Sequence, residues 1–100
     1  KTGIAISMPG SYVGLIHPRS GMAAKFGITV LNTPGTVDSG YRGEILVNLI
    51  NHGIDAFHLT AGDRIAQIVF QKFSRANFIE VAELDSSARG VLGHGSTGVN

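Results

Sequence analysis

The stretch GDRIAQIVFQKF, residues 62 to 73, opens with a Gly-Asp turn and continues as a run rich in Ile, Val and Phe. Branched and aromatic residues that follow a turn favour a β-strand. Several shorter segments on both sides of it are also rich in apolar residues and bounded by turn formers. They are residues 4–8, 13–15, 28–30, 45–49 and 78–84. Many short strands separated by Gly, Pro, Asn and Asp predict an all-β sandwich or barrel.

One segment, SGMAAKFG at residues 20–27, has a helical pattern. Ser20 suits the N-cap, and Gly27 suits the left-handed position that ends a helix. The last fifteen residues, SSARGVLGHGSTGVN, are rich in Gly and Ser and show no periodicity. We therefore predict a β-domain over residues 1–85 and a mobile tail over residues 86–100.

Composition narrows the classes of function. The chain has 100 residues, a formal net charge of +1 and 15% charged residues, which does not suit a protein that binds duplex nucleic acid. It has no cysteine, so disulfides and thiol catalysis are excluded. No apolar run reaches the roughly 18 residues of a membrane span, so a cytoplasmic location is the default expectation. A chain of this length buries a modest core, which makes self-association an expectation.

Two motifs carry candidate chemistry in the first half of the chain. HPRSG, residues 17–21, places Arg19 before the predicted helix start at Ser20, a combination that suits a phosphate. The alternative is that Ser20 only caps the helix and Arg19 is a solvated charge. NTPGTVDSGYRG, residues 32–43, puts a single carboxylate, Asp38, among many turn-forming residues. Such a long connection is typical of a backbone shaped around a ligand.

Two further motifs follow. GDRIAQ, residues 62–67, contains Gln67, which either faces solvent or reaches a ligand, while Asp63 and Arg64 suit structural roles in the turn. RGVLGHGSTG, residues 89–98, surrounds Arg89 and His94 with glycines whose N–H groups can wrap phosphate oxygens. The alternative for the second segment is a disordered tail.

In this order and spacing, the four motifs closely resemble the second to fifth motifs of the homotrimeric dUTPases, the deoxyuridine triphosphate nucleotidohydrolases. The resemblance covers nearly the whole chain. It implies a jelly-roll-like distorted β-barrel that assembles as a homotrimer with three shared active sites. It also implies hydrolysis of dUTP to dUMP and pyrophosphate, which keeps uracil out of DNA and supplies dUMP for dTMP synthesis.

The resemblance assigns a role to each matching position. Asp38 would orient and deprotonate the water that attacks the α-phosphorus and would contact the 3′-hydroxyl, and Tyr41 would pack under the deoxyribose and exclude a 2′-hydroxyl. The uracil pocket would be formed by the hairpin from Asn32, with Thr36, Val37 and Leu46. Arg19, Ser20 and Gly21 of one neighbour would hold the phosphates together with Gln67. The tail of another subunit would add Arg89, Gly95, Ser96 and Thr97. His94 of that tail would stack over uracil.

The resemblance also implies Mg²⁺, bound through the substrate triphosphate. The family's metal-holding first motif, an Asp-Ala-Gly segment, is expected upstream of Lys1. A further departure is Leu92, where the tail motif normally has glycine. An alternative function is a catalytically impaired relative that acts as a nucleotide-binding or interaction module. The related dCTP deaminases require a glutamate where this chain has Asn48, and an amide cannot serve as their proton shuttle.

Overall fold

The computed structural model of the protein describes residues 1–99. Within them the chain is mostly extended or irregular, with one short helix, in agreement with the predicted all-β class. The elements are β1 (Tyr12–Pro18), α1 (Ser20–Phe26), β2 (Ile28–Val30), β3 (Gly35–Val37), β4 (Leu49–Asn51) and β5 (Ala66–Lys72). No helix in these residues is long and apolar enough to cross a membrane.

The strands form two antiparallel sheets. In the larger one, β1 lies in the centre with β3 on one side and β5 on the other. Leu15 of β1 therefore faces Thr36 in one neighbour and Val69 in the other. The smaller sheet pairs β2 with β4. This topology brings the end of β3 and the start of β5 to the two edges of the same central strand.

The core is small and connects the two sheets. It consists of Ile16, Val30, Val37 and Ile45, of which Val30 is only 1% exposed. Val37 is the last residue of β3, and Ile45 follows seven residues of loop. The loop of residues 38–44 is therefore anchored in the core at both of its ends. Burial of these two apolar side chains restricts where the loop between them can lie.

The helix agrees with the predicted segment in extent but not in its first residue. Arg19 occupies the N-cap position, with no side-chain cap, and Ser20 is the first helical residue. The expectation that Ser20 is the N-cap is therefore wrong, because the chain turns into the helix one residue earlier. Gly27 ends the helix as predicted, with a φ of 71°, and its N–H donates to the carbonyl of Ala23.

Three predicted strands differ from the structure. Residues 4–8 form no strand, although Ile45 N–H donates to the Ile4 carbonyl at 2.8 Å. In the 45–49 segment, strand structure begins only at Leu49. Residues 78–84 also form no strand, and Phe78 is 92% exposed. A strand needs a neighbouring strand to satisfy its backbone N–H and C=O groups, and within the described part of this chain residues 78–84 have none.

The chain is more open than a typical domain of its size. Its accessible surface is 8335 Å² and its radius of gyration is 19.0 Å. A compact monomer of this mass would expose about 5,400 Å² and have a radius of gyration of about 13 Å. Every residue from 69 to 99 is exposed, including large apolar side chains of the 78–84 segment. The chain alone thus leaves uncovered about 2,900 Å² that a compact fold would cover.

Candidate active site

The loop after β3 holds Asp38 in a defined orientation. The backbone N–H of Gly40 donates to Asp38 Oδ1 at 2.8 Å, and the N–H of Tyr41 donates to the Asp38 carbonyl at 3.2 Å. These two bonds close a tight turn in which a side-chain oxygen takes part, as is common for aspartate in turns. Asp38 Oδ2 is the second carboxylate oxygen, and it accepts no hydrogen bond from the described residues 1–99. It can therefore accept one from a ligand or a water molecule.

The rest of the loop is also held by its own hydrogen bonds. The Arg42 guanidinium folds back and donates to the carbonyls of Ser39, at 2.7 Å, and of Tyr41, at 3.1 Å. The Tyr41 hydroxyl donates to the Glu44 carbonyl at 2.7 Å. An exposed loop with this many internal bonds keeps one shape before any ligand arrives. That pre-organisation lowers the entropy lost on binding.

A cavity of about 240 Å³ opens beside this loop. Its six lining residues are Thr36, Val37, Asp38, Tyr41, Ile45 and Leu46. Five of them are residues that the family resemblance assigned to the active site, and the structure brings these five together. The sixth, Ile45, was predicted only as a strand residue. Alternation of apolar residues indicates a strand but does not reveal which side chains line a pocket.

Asn32 lies in the turn between β2 and β3. A Cβ atom added at Gly35 would lie 3.4 Å from Asn32 Nδ2, so the Asn32 amide packs against the Gly35 backbone. The Thr33–Pro34 peptide bond between them is cis. The expectation of a hairpin from Asn32 is wrong, because β2 and β3, the strands on its two sides, belong to different sheets. The segment that the resemblance assigns to base recognition is a turn that leads into the cavity wall at Thr36.

Arg19 and Gln67 lie at the other edge of β1. The Arg19 guanidinium donates to the Arg64 carbonyl at 2.9 Å, and Gln67 Nε2 donates to the Pro18 carbonyl at 3.0 Å. The Gln67 side chain therefore does not only face solvent. Its amide forms a hydrogen bond with the segment that leads to Ser20 and Gly21. Asp63 has the structural role expected of it, because its Oδ2 accepts from the Thr60 N–H at 2.9 Å.

The tail residues form a surface of their own. A concave region of about 550 Å³ is lined by Arg89, Leu92, Gly93, His94, Gly95, Ser96 and Thr97. The chain turns there on backbone bonds such as Ser96 N–H to the Gly93 carbonyl, at 3.0 Å. Arg89 Nε donates to the Leu92 carbonyl at 2.7 Å. All the tail residues named in the sequence analysis thus lie on one surface, and none of them lines the cavity beside Asp38.

A second cavity borders the other side of the Asp38 loop and was missed in the sequence. It has about 590 Å³ and includes Phe73 and Arg75 among its lining residues, together with Thr36, Asp38 and Gly40. The Arg75 guanidinium lies 5.5 Å from the centre of the Phe73 ring, within the range of a cation–π contact. The only signal for Arg75 in the sequence is its place just after an apolar strand. Charged residues are common at such positions, so this signal does not identify a site residue.

No three side chains of His, Asp or Glu within residues 1–99 lie close enough together to hold a metal ion. The described chain therefore offers no protein-built cage for Mg²⁺, which usually takes one or two carboxylates together with water and phosphate oxygens. A magnesium ion that arrives on a triphosphate does not need such a cage.

A mostly β chain with an acidic loop beside a cavity, an arginine at a helix start and a Gly-rich tail surface fits a nucleotide-binding protein. Comparison with known proteins is more specific: the family model described as dUTPase matches residues 1–98. The chain belongs to the dUTPase family. The deoxyuridine 5'-triphosphate nucleotidohydrolase of Thermobifida fusca (strain YX) is 60% identical over 99 residues, which are 98% of this chain and 55% of that protein. The Nocardia farcinica (strain IFM 10152) protein of the same name is 58% identical over 97% of this chain and 59% of its own length.

Solved structures agree with the fold. The dUTPase of Staphylococcus bacteriophage 80alpha, in a structure with dUPNHPP, has a TM-score of 0.83 and 29% identity, over 95% of this chain and 72% of that one. A mutant dUTPase from phage phi11 of S. aureus, in a structure that shows the coordination of a structural Mg(II) ion, has a TM-score of 0.67 and 26% identity over 82% of this chain and 69% of its own. The predicted dUTPase-like β fold is confirmed. The chain spans little more than half the length of the two bacterial relatives.

Proposed function

We propose that the protein containing this chain hydrolyses dUTP to dUMP and pyrophosphate, by attack of water on the α-phosphorus. The observation that carries the proposal is the cavity beside β3, where Asp38 and Tyr41 lie with Thr36, Val37 and Leu46 in a chain of the dUTPase family. Two bacterial members of the family carry the name deoxyuridine 5'-triphosphate nucleotidohydrolase.

Asp38 orients the attacking water and accepts its proton. The bond from Gly40 N–H fixes Oδ1, so the carboxylate presents Oδ2 in one direction. A water that donates to Oδ2 is held with its lone pair free for the phosphorus, and fixing that geometry lowers the entropic cost of reaching the transition state. The same carboxylate contacts the 3′-hydroxyl of the deoxyribose, which aligns the sugar with the water.

The segment of residues 32–37 and the Tyr41 ring select the nucleoside. Backbone groups from Asn32 onward pair with the uracil edge, and Thr36, Val37 and Leu46 form the wall. Backbone that lies close to the uracil ring leaves no space for the methyl group of thymine, and fixed donors and acceptors reject cytosine because buried polar groups would be left unpaired. The Tyr41 ring packs under the deoxyribose and excludes a 2′-hydroxyl by steric contact.

The phosphates are held by residues from other copies of the chain, in a homotrimer. Two features of the single chain support this arrangement. The Asp38 cavity is lined by none of the residues proposed to bind phosphate. These are Arg19, Ser20, Gly21 and Gln67, and the tail residues Arg89, His94, Gly95, Ser96 and Thr97. The chain also exposes far more surface than a compact monomer, as an isolated subunit does.

The tail acts as a lid. Residues 1–85 form the β-domain, and the tail of residues 86–100, of which Asn100 lies outside the described part, closes over the triphosphate of a neighbouring subunit when substrate binds. Arg89 reaches the γ-phosphate, His94 stacks over uracil, and the Gly95 to Thr97 backbone wraps phosphate oxygens. The described tail residues are exposed and carry no regular element, which suits a segment that must move.

Magnesium enters as part of the substrate, as the Mg²⁺ complex of dUTP. It neutralises part of the triphosphate charge and restricts its conformation. Within residues 1–99 no group of three ligating side chains forms a cage for the ion. The cytoplasmic location expected from the composition stays a prediction.

The test is a substrate comparison with the full-length protein. Pyrophosphate release is measured with dUTP, dCTP, dTTP and UTP in the presence of Mg²⁺. We expect kcat/KM for dUTP to exceed that for each of the other three by at least about a hundredfold, because each would leave polar groups unpaired or clash. Tight binding of dUTP without pyrophosphate release would refute the proposal and favour the catalytically impaired relative. Conversion of dCTP to dUTP would point to deamination.

A further inference from the structure

The Tyr41 ring lies directly over Gly43. A Cβ atom built at Gly43 would be 2.5 Å from Tyr41 Oη, 2.7 Å from Cζ and 2.9 Å from Cε1. Ordinary contacts of a Cβ atom begin near 3.4 Å. Gly43 has no positive φ, so its backbone conformation is open to other residues. Glycine is required at this position by the space that the ring occupies, and not by the backbone.

The far end of the ring is held by Glu44. The Tyr41 hydroxyl donates to the Glu44 carbonyl at 2.7 Å, and the Glu44 carboxylate accepts from the Gly3 N–H through Oε1 at 2.8 Å. The next residue, Ile45, accepts from the Thr2 hydroxyl at 2.7 Å. Glu44 thus connects the tyrosine to the N-terminal segment of the chain, which lies against the loop.

We propose that Gly43 and Glu44 are positioning residues. They hold the Tyr41 ring at the distance from the sugar that excludes the 2′-hydroxyl of a ribose. This inference rests on the proposed function, in which Tyr41 packs under the deoxyribose. A methyl group at Gly43 must push the ring tip away by about 1 Å to restore ordinary contact. The displaced hydroxyl then loses its bond to the Glu44 carbonyl, and the freed ring discriminates less between a deoxyribose and a ribose than a fixed ring does.

The test compares sugar selectivity, defined as the ratio of kcat/KM for dUTP to kcat/KM for UTP, in four forms of the full-length protein. These are the unmodified protein, Gly43→Ala, Tyr41→Ala and the double variant. We expect Gly43→Ala to lower the ratio by about tenfold or more, with a larger change in the value for UTP. In the double variant the ratio should equal that of Tyr41→Ala alone, because the added methyl group no longer has a ring to displace.

Gly10→Ala is the matched control. A Cβ atom at Gly10 meets no atom within 4 Å, and Gly10 has no positive φ. The ratio should stay unchanged in this variant. If the unmodified protein selects dUTP over UTP and Gly43→Ala leaves the ratio unchanged, the inference is wrong while the proposed function stands. Independent, multiplicative effects of the two substitutions in the double variant would also overturn it. If the unmodified protein does not hydrolyse dUTP, the proposed function itself fails.

Variants of Glu44 provide a second test of the proposal, and they add no volume to the loop. Glu44→Ala removes the acceptor for the Gly3 N–H, whereas Glu44→Gln keeps an oxygen at the Oε1 position. We expect a lower ratio in Glu44→Ala and recovery of the ratio in Glu44→Gln. Equal ratios in the two variants would show that the side chain has no role in holding the tyrosine. This comparison decides the question for Glu44 even if Gly43→Ala fails to fold.

Discussion

Replacing Asp38 with Asn changes one terminal atom of the side chain and leaves its shape intact. Asn can keep its carbonyl oxygen at the position of Oδ1, 2.8 Å from the Gly40 N–H, so the turn that shapes the loop is retained. The amide nitrogen then takes the place of Oδ2. An amide nitrogen is a donor and cannot accept the proton of a water molecule. The variant therefore keeps the pocket and loses the group assigned to activate water.

The size of the effect follows from that role. General-base catalysis typically contributes 10² to 10⁴ in rate, so we expect kcat to fall by about that factor, or about 3 to 5 kcal/mol in barrier height. The affinity for the non-hydrolysable analogue dUPNHPP should change by less than about threefold, since the other five lining residues and the shape of the loop are unchanged. Pyrophosphate release gives the first quantity and titration calorimetry gives the second.

Asp55→Asn is the control, because Asp55 is exposed and does not line either cavity beside the Asp38 loop. It should show normal turnover and normal affinity. A kcat within about threefold of normal for Asp38→Asn would refute the assigned role, because a lost general base costs far more. A large loss of analogue affinity would instead mean that Asp38 serves mainly to bind the sugar.

Three further predictions follow from the packing and from the proposed assembly. Sedimentation should give about three times the 10.5 kDa chain mass for this chain, because the surplus of exposed surface needs partner copies; a stable monomer would contradict the trimer. Deletion of the tail after Ser87 should lower kcat at least about a hundredfold by removing Arg89, while sedimentation stays unchanged; normal turnover would rule out the lid. Val30→Ala should lower the free energy of unfolding by about 2 to 3 kcal/mol, because Val30 is 1% exposed. Denaturant unfolding at fixed protein concentration measures this change, and Thr29→Ala on the same strand should cost less than about 1 kcal/mol.

Local sequence signals predicted the elements that depend on neighbouring residues. The glycine that ends the helix, Gly27, and the strands around Leu15 and Ile68 have the expected conformations. The five pocket residues were assigned through the resemblance to a known family, and they lie within eleven consecutive positions of the chain. Their grouping also depends on the core contacts of Val37 and Ile45, which turn-forming residues alone do not encode.

Features that depend on distant contacts were not predictable in this way. The apolar pattern of residues 78–84 indicated a strand, but a pattern cannot supply the neighbouring strand. Likewise, the position of the Tyr41 ring over Gly43 depends on Glu44, whose carboxylate bonds a residue 41 positions away. Neither periodicity nor motif spacing contains that contact. The grouping of Arg75 with Phe73 beside the Asp38 loop was missed for the same reason.

The central claim is that water attacks the α-phosphorus of dUTP under the control of Asp38. A single-turnover reaction of the full-length protein in water labelled with oxygen-18 tests it most directly, with mass spectrometry of both products. We predict one labelled oxygen in the phosphate of dUMP and none in the pyrophosphate, since the new bond forms at the α-phosphorus. Label in the pyrophosphate, or release of inorganic phosphate with dUDP, would contradict the account.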